Sequence, residues 1–301
     1  LTSLYPVSPN KPFILVLSSI ISILIPFIIL FLWFFLDNKI HTKKDVESVL
    51  NNIPIIGEIP FIPSKLKNIL SSPKSRNILA ESIRMTIANL NFITYKNKSN
   101  TLLVTSTIKG EGKTLVSVNL ATSLSVNLKK VILVGADLRN PQIHKFLNVD
   151  KKTKGLADYI YTDDFDYKKL ILKNENCDFL LSGTIPPNPT ELLSSPKFKN
   201  LILELNKIYD YVIIDSAPCL LVSDTFSISK HVDTTLYVIR SNFTDKNLLE
   251  FIKECNNLKK LNGISLVLNG VGNSSSYGYQ YGYQYGYNYG YGYGYGSDNW
   301  K

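Results

Sequence analysis

The chain has 301 residues, 45% hydrophobic and 19% charged, which excludes wholesale disorder and suffices for one membrane segment plus one sizeable α/β domain. Thirty-three Lys and Arg against 24 Asp and Glu give +9, a balance that suits a membrane-facing protein or a polyanion binder equally. Cys177, Cys219 and Cys255 are odd in number and lack metal-ligand spacing, which argues against a disulfide framework or zinc site and for a reducing compartment.

In chain order, a short segment (1–12) precedes an uncharged run from Phe13 to Leu36. At about 1.5 Å per residue that run crosses a hydrocarbon core of about 30 Å, so 13–36 is predicted as a transmembrane helix. Its bulky end, Leu32-Trp33-Phe34-Phe35-Leu36, lacks the small-residue cleavage site of a signal peptide. Lys39, Lys43 and Lys44 follow it, against Lys11 alone before it, which places the C-terminal side in the cytoplasm. The chain opens on Leu1 almost at this helix, so the expectation is a piece whose upstream part is missing. Pro54, Pro60, Pro63 and Pro73 punctuate 37–75, predicted as a juxtamembrane linker, extended and turn-rich around Ile53–Pro60.

A domain over 76–272 follows. Ile78 to Leu90 has helical spacing, and apolar runs at Leu102–Val104, Val131–Val134, Phe179–Leu181, Tyr211–Ile214, Thr235–Ile239 and Ile264–Leu268 alternate with helical patterns. Continuous apolar runs of that length are strands buried on both faces, so the fold class is α/β, a doubly wound and mainly parallel sheet. Ligands on such sheets bind beyond the carboxyl ends of the strands. Nucleic-acid binding is discounted, because no basic stripe interleaved with aromatics stands at those ends.

The loop after the first of these runs, Thr105-Ser106-Thr107-Ile108-Lys109-Gly110-Glu111-Gly112-Lys113-Thr114, precedes a helical pattern from Leu115 to Leu128. That order is a P-loop, hence a P-loop NTPase fold. Backbone N–H groups from Lys109, Gly110, Glu111, Gly112, Lys113, Thr114 and Leu115 would cradle the phosphates of ATP. Lys113 would reach the outer phosphates, and the Thr114 hydroxyl would meet Mg²⁺. The strict pattern wants glycine where Thr107 stands, so the match is partial. Asp215 ends a buried run, as the Mg²⁺-holding acid of such proteins does. Asp137 and Arg139 end the neighbouring run. Asp137 is a metal ligand through water or a proton acceptor, or else a loop acid tying down Arg139. Lys113, Asp137, Asp215 and Arg139 are the candidate catalytic set, and Thr114, Asp137 and Asp215 the candidate metal set.

Beyond Asn273 the sequence is Tyr/Gly repetition, with Tyr277, Tyr279, Tyr281, Tyr283, Tyr285, Tyr287, Tyr289, Tyr291, Tyr293 and Tyr295 in strict alternation. No packed core can form from it, so 273–301 is expected to be a disordered tail, and composition alone favours mere stickiness.

These motifs together resemble the bacterial tyrosine kinases of capsular and exopolysaccharide biosynthesis that are fused to a polysaccharide co-polymerase, or chain-length determinant, membrane module. The resemblance rests on Ser106–Thr114, Val131–Arg139, Val212–Pro218, Gly183–Leu193, Leu268–Val271 and Pro6, Pro9 and Pro12 before the helix. It implies that 13–36 is the second transmembrane helix of that module. It also implies an ATP- and Mg²⁺-dependent autokinase of the bacterial inner membrane, its kinase domain cytoplasmic. The tail tyrosines become phosphoacceptors in trans within a homo-oligomeric ring, with an octamer as the candidate size. A phosphotyrosine phosphatase and the polysaccharide polymerisation and export machinery become partners. Partition and division-site ATPases share the sheet but carry a lysine at the position of Ile108.

Two departures stand out. The second acid motif usually begins with aspartate, a candidate base, where Gly135 stands; the alternative is therefore a catalytically weakened, nucleotide-binding regulatory subunit. The ring helix usually pairs glutamate with two arginines at three-residue steps: Glu81 and Arg84 match as oligomer contacts, but Ile87 takes the third place.

Overall fold

A computed structural model describes residues 11–62, 77–94, 100–126, 129–162, 165–174 and 177–272. The tail tyrosines from Tyr277 to Tyr295, Pro63, Pro73 and residues 1–10 lie outside the described residues. The chain divides into two compact units, Leu1–Lys39 and Ile40–Lys301.

The first unit is α1 (Lys11–Leu36), with Pro26 inside it. Its stretch Phe13–Leu36 has mean hydropathy 2.9 and none of it is buried, so the helix is long and apolar enough to cross a membrane. Ser19 and Ser22 return their hydroxyls to the carbonyls of Leu15 and Ser19, both at 2.8 Å, leaving an apolar exterior.

Among its described residues the second unit has eight strands: β1 (Ile55–Pro60), β2 (Asn100–Ser106), β3 (Val131–Gly135), β4 (Ile171–Leu172), β5 (Asp178–Leu180), β6 (Tyr211–Asp215), β7 (Thr234–Arg240) and β8 (Ile264–Val271). Among the helices are α2 (Lys43–Glu47), α3 (Ile78–Thr94), α4 (Lys113–Ser125), α5 (Ile143–Leu147), α6 (Leu156–Tyr161) and α7 (Tyr167–Leu170). They continue with α8 (Pro189–Leu193), α9 (Pro196–Ile208), α10 (Asp224–Ser229) and α11 (Leu248–Asn257). The sheet order is β1-β8-β7-β2-β6-β3-β5-β4, parallel except for the β4–β5 pair. Alternate residues feed opposite layers: Leu102, Val104 and Ile213 join one apolar cluster, while Leu103, Val212 and Ile214 join the other. Because β6 slots between β2 and β3, and β7 lies on the far side of β2, connections leave the centre in opposite directions. That reversal opens a crevice at the carboxyl end of β2.

The segment expected as a linker differs from that expectation. Residues 40–60 belong to the sheet-bearing unit, with Ile40, Val46, Leu50 and Ile53 in one core cluster and Ile56 and Ile59 in the other. The reason is β1, which pairs in parallel with β8 from Ile55↔Leu266 to Pro60↔Val271. The prolines that suggested a turn bracket an edge strand, where a missing N–H costs no ladder bond, and the Pro54 carbonyl accepts Leu266 N at 2.8 Å. Upstream, Ile40 N donates to Thr244 O at 2.9 Å and Asn242 N to Ile40 O at 2.7 Å, fastening the segment to the loop after β7.

α4 shows why a helix on this sheet reads as apolar all round. Val116, Val118, Leu120 and Ala121 are all fully buried, and so are Ser117 and Asn119. The two polar side chains satisfy themselves on the helix backbone, Ser117 Oγ on Thr114 O at 3.1 Å and Asn119 Nδ2 on Leu115 O at 2.8 Å. α4 is therefore anchored on every side, and its first turn is fixed where β2 ends.

Candidate nucleotide site

Between β2 and α4 the chain turns through two left-handed glycines, Gly110 at φ 97° and Gly112 at φ 101°. Gly112 has a second constraint: an added Cβ would stand 2.1 Å from Asn269 Nδ2, which reaches across from β8 to donate to Glu111 O at 2.8 Å. Thr107, the departure from the strict motif, is fully buried and accepts a hydrogen bond from the Tyr237 hydroxyl at 3.0 Å. Its φ is not positive, so no glycine is required there.

The inner end of the crevice gathers the sequence-predicted charges. Lys113 Nζ donates to Asp137 Oδ2 at 2.7 Å, and Thr114 Oγ1 donates to Asp215 Oδ2 at 2.8 Å. Asp137 Oδ1 accepts Asn140 N at 2.9 Å, and Ala136 N donates to Asp215 O at 2.8 Å, which locks the two acid loops together. Burial alone would lower the Lys113 pKa, but the Asp215 and Asp137 carboxylates outweigh it and hold the ammonium above its ordinary value. Burial raises the Asp215 pKa, with Lys113 opposing. Asp215 Oδ1 is buried with no hydrogen-bond partner. An orphaned carboxylate oxygen beside a threonine hydroxyl is a donor set suited to a hard, oxygen-loving dication such as Mg²⁺. The two glycines and the helix N-terminus suit phosphates. The residues present therefore fit both groups.

A cavity of about 480 Å³ opens from this cluster. Lys109, Gly110, Gly112, Lys113, Thr114, Leu115, Asp137 and Arg139 line it. The lining also includes Phe61, Ile62 and Leu221, none of them singled out by motif spacing, and Asn269 from the Leu268–Val271 stretch.

The side chains of two predicted residues make contacts that motif spacing does not indicate. Glu111 is fully buried and its side chain does not line the cavity. It accepts Ile108 N at 2.7 Å and the Thr244 hydroxyl, so it braces the loop from behind and only its backbone is available to phosphate. Burial pushes its carboxyl up to about 7, with those hydrogen bonds pulling the other way. Arg139 is not tied by Asp137. Its partner is Asp224, at 2.7 Å from Nε to Oδ2 and 3.1 Å from Nη2 to Oδ1, with Thr190 Oγ1 3.1 Å from the same Nη2. Asp224 and Thr190 carry no sequence signal for this role, because an Asp after Ser223 reads as a helix start.

Gly135 ends β3 opposite Asp215. A Cβ there would meet Ser182 Oγ at 2.7 Å and Ser182 N at 3.0 Å, so the space a first acid would occupy is filled. Glu81 and Arg84 form an ion pair of 2.7 Å on α3, both partly exposed.

Fold, phosphate loop and strand-end acids define a class: residues 99–265 match a family profile described as the AAA domain, over half of the chain. A tyrosine-protein kinase of a cps region in Klebsiella pneumoniae is 33% identical over 285 residues, covering 88% of this chain and 39% of its own length. The chain thus spans well under half of that relative. Bacillus subtilis tyrosine-protein kinase YwqD is 33% identical over 216 residues, 71% of this chain and 91% of its own. The kinase domain of the Escherichia coli tyrosine kinase ETK superposes with TM-score 0.69 at 25% identity, covering 85% of this chain and 100% of that domain. The chain belongs to the bacterial tyrosine-protein kinase family.

Proposed function

We propose that the chain is an ATP-dependent protein-tyrosine autokinase that phosphorylates the tyrosines from Tyr277 to Tyr295 of a neighbouring copy and thereby regulates capsule or exopolysaccharide assembly, chain length and export. The observation that carries it is the interlocked set Lys113–Asp137 and Thr114–Asp215 at the tip of the phosphate loop, with one Asp215 oxygen left over. Thr114 and Asp215 would hold Mg²⁺, which supplies charge neutralisation on the phosphates when bound. Backbone N–H groups from Lys109 to Leu115 bind the phosphates. Lys113 exchanges its Asp137 partner for the outer phosphate oxygens, because a triphosphate is the stronger anion. That exchange frees Asp137 to receive the proton of the incoming tyrosine hydroxyl. The tyrosine oxygen forms the new bond to the terminal phosphorus as the bridging oxygen leaves with ADP. Most of the acceleration in such a site is positioning and charge stabilisation, which these residues provide.

Tail tyrosines suit this chemistry: each phosphate adds about −1.5 to −2 charges, so a marked tail is repelled from an acidic, phosphate-filled site and release follows transfer. The same reading places α1 in the bacterial inner membrane with Ile40–Lys301 in the cytoplasm. Self-association into a ring, an octamer as the candidate, uses Glu81 and Arg84. A phosphotyrosine phosphatase resets the tail. One observation favours a second reading, a nucleotide-binding regulatory subunit of an export complex: Gly135 supplies no acid and Ser182 fills its place. A phosphotyrosine immunoblot of the full chain with Mg²⁺-ATP decides between them. Signal in wild type that disappears in Lys113→Met supports the kinase. Magnesium-dependent nucleotide binding without phosphotyrosine supports the regulatory subunit.

A further inference from the structure

Arg139 is held in an unusual way for a cavity-lining cation. Its side chain is 42% exposed, yet the carboxylate that grips it, Asp224, is fully buried. The grip is a fork through Nε and Nη2, and the second Nη2 hydrogen goes to Thr190 Oγ1, which also donates to Asp224 Oδ1. Burial alone would raise the Asp224 carboxyl, but Arg139 and Thr190 outweigh it and hold the acid ionised, below its ordinary value. Three elements therefore meet on one guanidinium: the loop after β3, the start of α8 and the start of α10.

The fork leaves Nη1, with both its N–H groups, unassigned to any partner among the described residues, on a side chain that walls the same cavity as Lys113 and Thr114. An arginine gripped along its Nε edge is pre-organised, so its outer edge can meet an anion at low entropic cost. Among the described residues no structural contact engages that edge. The cavity it faces is the one whose loop fits a nucleotide phosphate chain.

Resting on the nucleotide reading above, we infer that Arg139 is the residue that distinguishes a triphosphate from a diphosphate in this cavity, and that Asp224 and Thr190 are its positioning residues. The terminal phosphoryl group, with its extra charge and three oxygens, is the ligand for the outer edge of the guanidinium. The glycine loop grips the phosphates common to both nucleotides, and Lys113 reaches the second phosphate, present in both, as well as the terminal one; the outer edge of Arg139 meets the terminal group alone.

The test is equilibrium binding of Mg²⁺-ADP and of a non-hydrolysable Mg²⁺-ATP analogue to the full chain in detergent. It compares wild type, Arg139→Ala, Asp224→Asn and the double variant, with thermal unfolding as a folding control. Arg139→Ala is expected to weaken the triphosphate about tenfold or more and leave the diphosphate within about twofold, the scale of one charge-assisted contact. Asp224→Asn is expected to lose a smaller part of the same selectivity, and the double variant no more than Arg139→Ala alone, since Asp224 acts through Arg139. Thr190→Val reports the same direction with less effect.

Equal losses for both nucleotides, unchanged affinities in Arg139→Ala, or additive losses in the double variant would each overturn the inference. If Asp224→Asn does not fold, the selectivity of Arg139→Ala and of Arg139→Lys, which keeps the charge but lacks the fork, carries the decision. Absence of phosphotyrosine in wild type sinks the kinase reading but leaves this readout intact, because binding selectivity does not require transfer.

Discussion

The two ends of the crevice are built on opposite plans. At the inner end, Lys113, Thr114, Asp137 and Asp215 are buried and satisfy one another almost completely. The outer lip holds a half-exposed Arg139 by a buried acid and leaves Leu221 87% exposed. The inner end is electrostatically closed, so a ligand must displace an internal ion pair to enter. The lip is open and pre-aimed. On the proposed reading, binding strength and metal dependence reside in the inner end, while discrimination between ligands falls to the lip.

Asp215→Asn attacks the inner end and has the largest expected effect. Loss of the carboxylate should weaken magnesium-dependent nucleotide binding by about 10²-fold or more, on the scale of removing one charge-stabilising group from such a site. The unfolding midpoint should not fall, because the fold already bears the cost of desolvating that acid. Isothermal titration with and without Mg²⁺, beside a thermal melt, checks both statements. A fall in midpoint with binding preserved would break the contrast.

Glu111 tests what braces the inner end. Its folded pKa of about 7 lies above the ordinary 4.5 of a glutamate, so the folded state binds more protons than the unfolded one between those values. Stability contributed by the protonated form is present below about 4.5 and is lost as pH rises through about 7, a decline of about 3 kcal/mol in total. Glu111→Gln keeps the shape and lets an amide meet Ile108 N and Thr244 Oγ1. It should flatten denaturant-measured stability across that window and raise it above pH 7. A wild-type profile that is flat from pH 5 to 7.5 would show that the loop tolerates the charge.

Gly135→Asp sharpens the comparison by adding an acid where the motif that this stretch resembles begins with one. In this chain the new Cβ meets Ser182, so the substitution should cost about 1–3 kcal/mol by overpacking. Pairing it with Ser182→Gly makes room and should recover much of the loss. Chemical denaturation of the single and double variants measures it. A single variant as stable as wild type would mean that the Ser182 backbone yields readily.

The sequence made the inner end legible because its parts are local: a glycine-rich loop between strand and helix, and acids at the ends of apolar runs. Strand existence followed from buried runs, and all six expected strands are present. β1 was not legible, since Ile53–Pro60 contains three residues that punctuate chains, and only long-range pairing with β8 makes it a strand. The brace on the loop was hidden for the same reason. Glu111 meets Thr244 and Asn269 meets Glu111 across 133 and 158 residues of chain, distances at which spacing carries no information. Arg139 was singled out, but its partner was not: sequence proximity offered only Asp137, and that as the alternative reading, whereas Asp224, 85 residues away, holds it.

The smallest expected effect concerns α3, outside the crevice. Glu81 and Arg84 are 55% and 40% exposed at three-residue spacing, so their ion pair should contribute under about 1 kcal/mol to the fold of a single copy. Arg84→Ala should therefore leave the unfolding midpoint of dilute protein almost unchanged. That indifference makes it a clean probe of assembly: if the proposed ring uses this helix, Arg84→Ala shifts the sedimentation distribution of concentrated, detergent-solubilised protein toward smaller species while nucleotide affinity stays constant. A distribution identical to wild type would remove Glu81 and Arg84 from the assembly surface and leave both ends of the crevice as they stand.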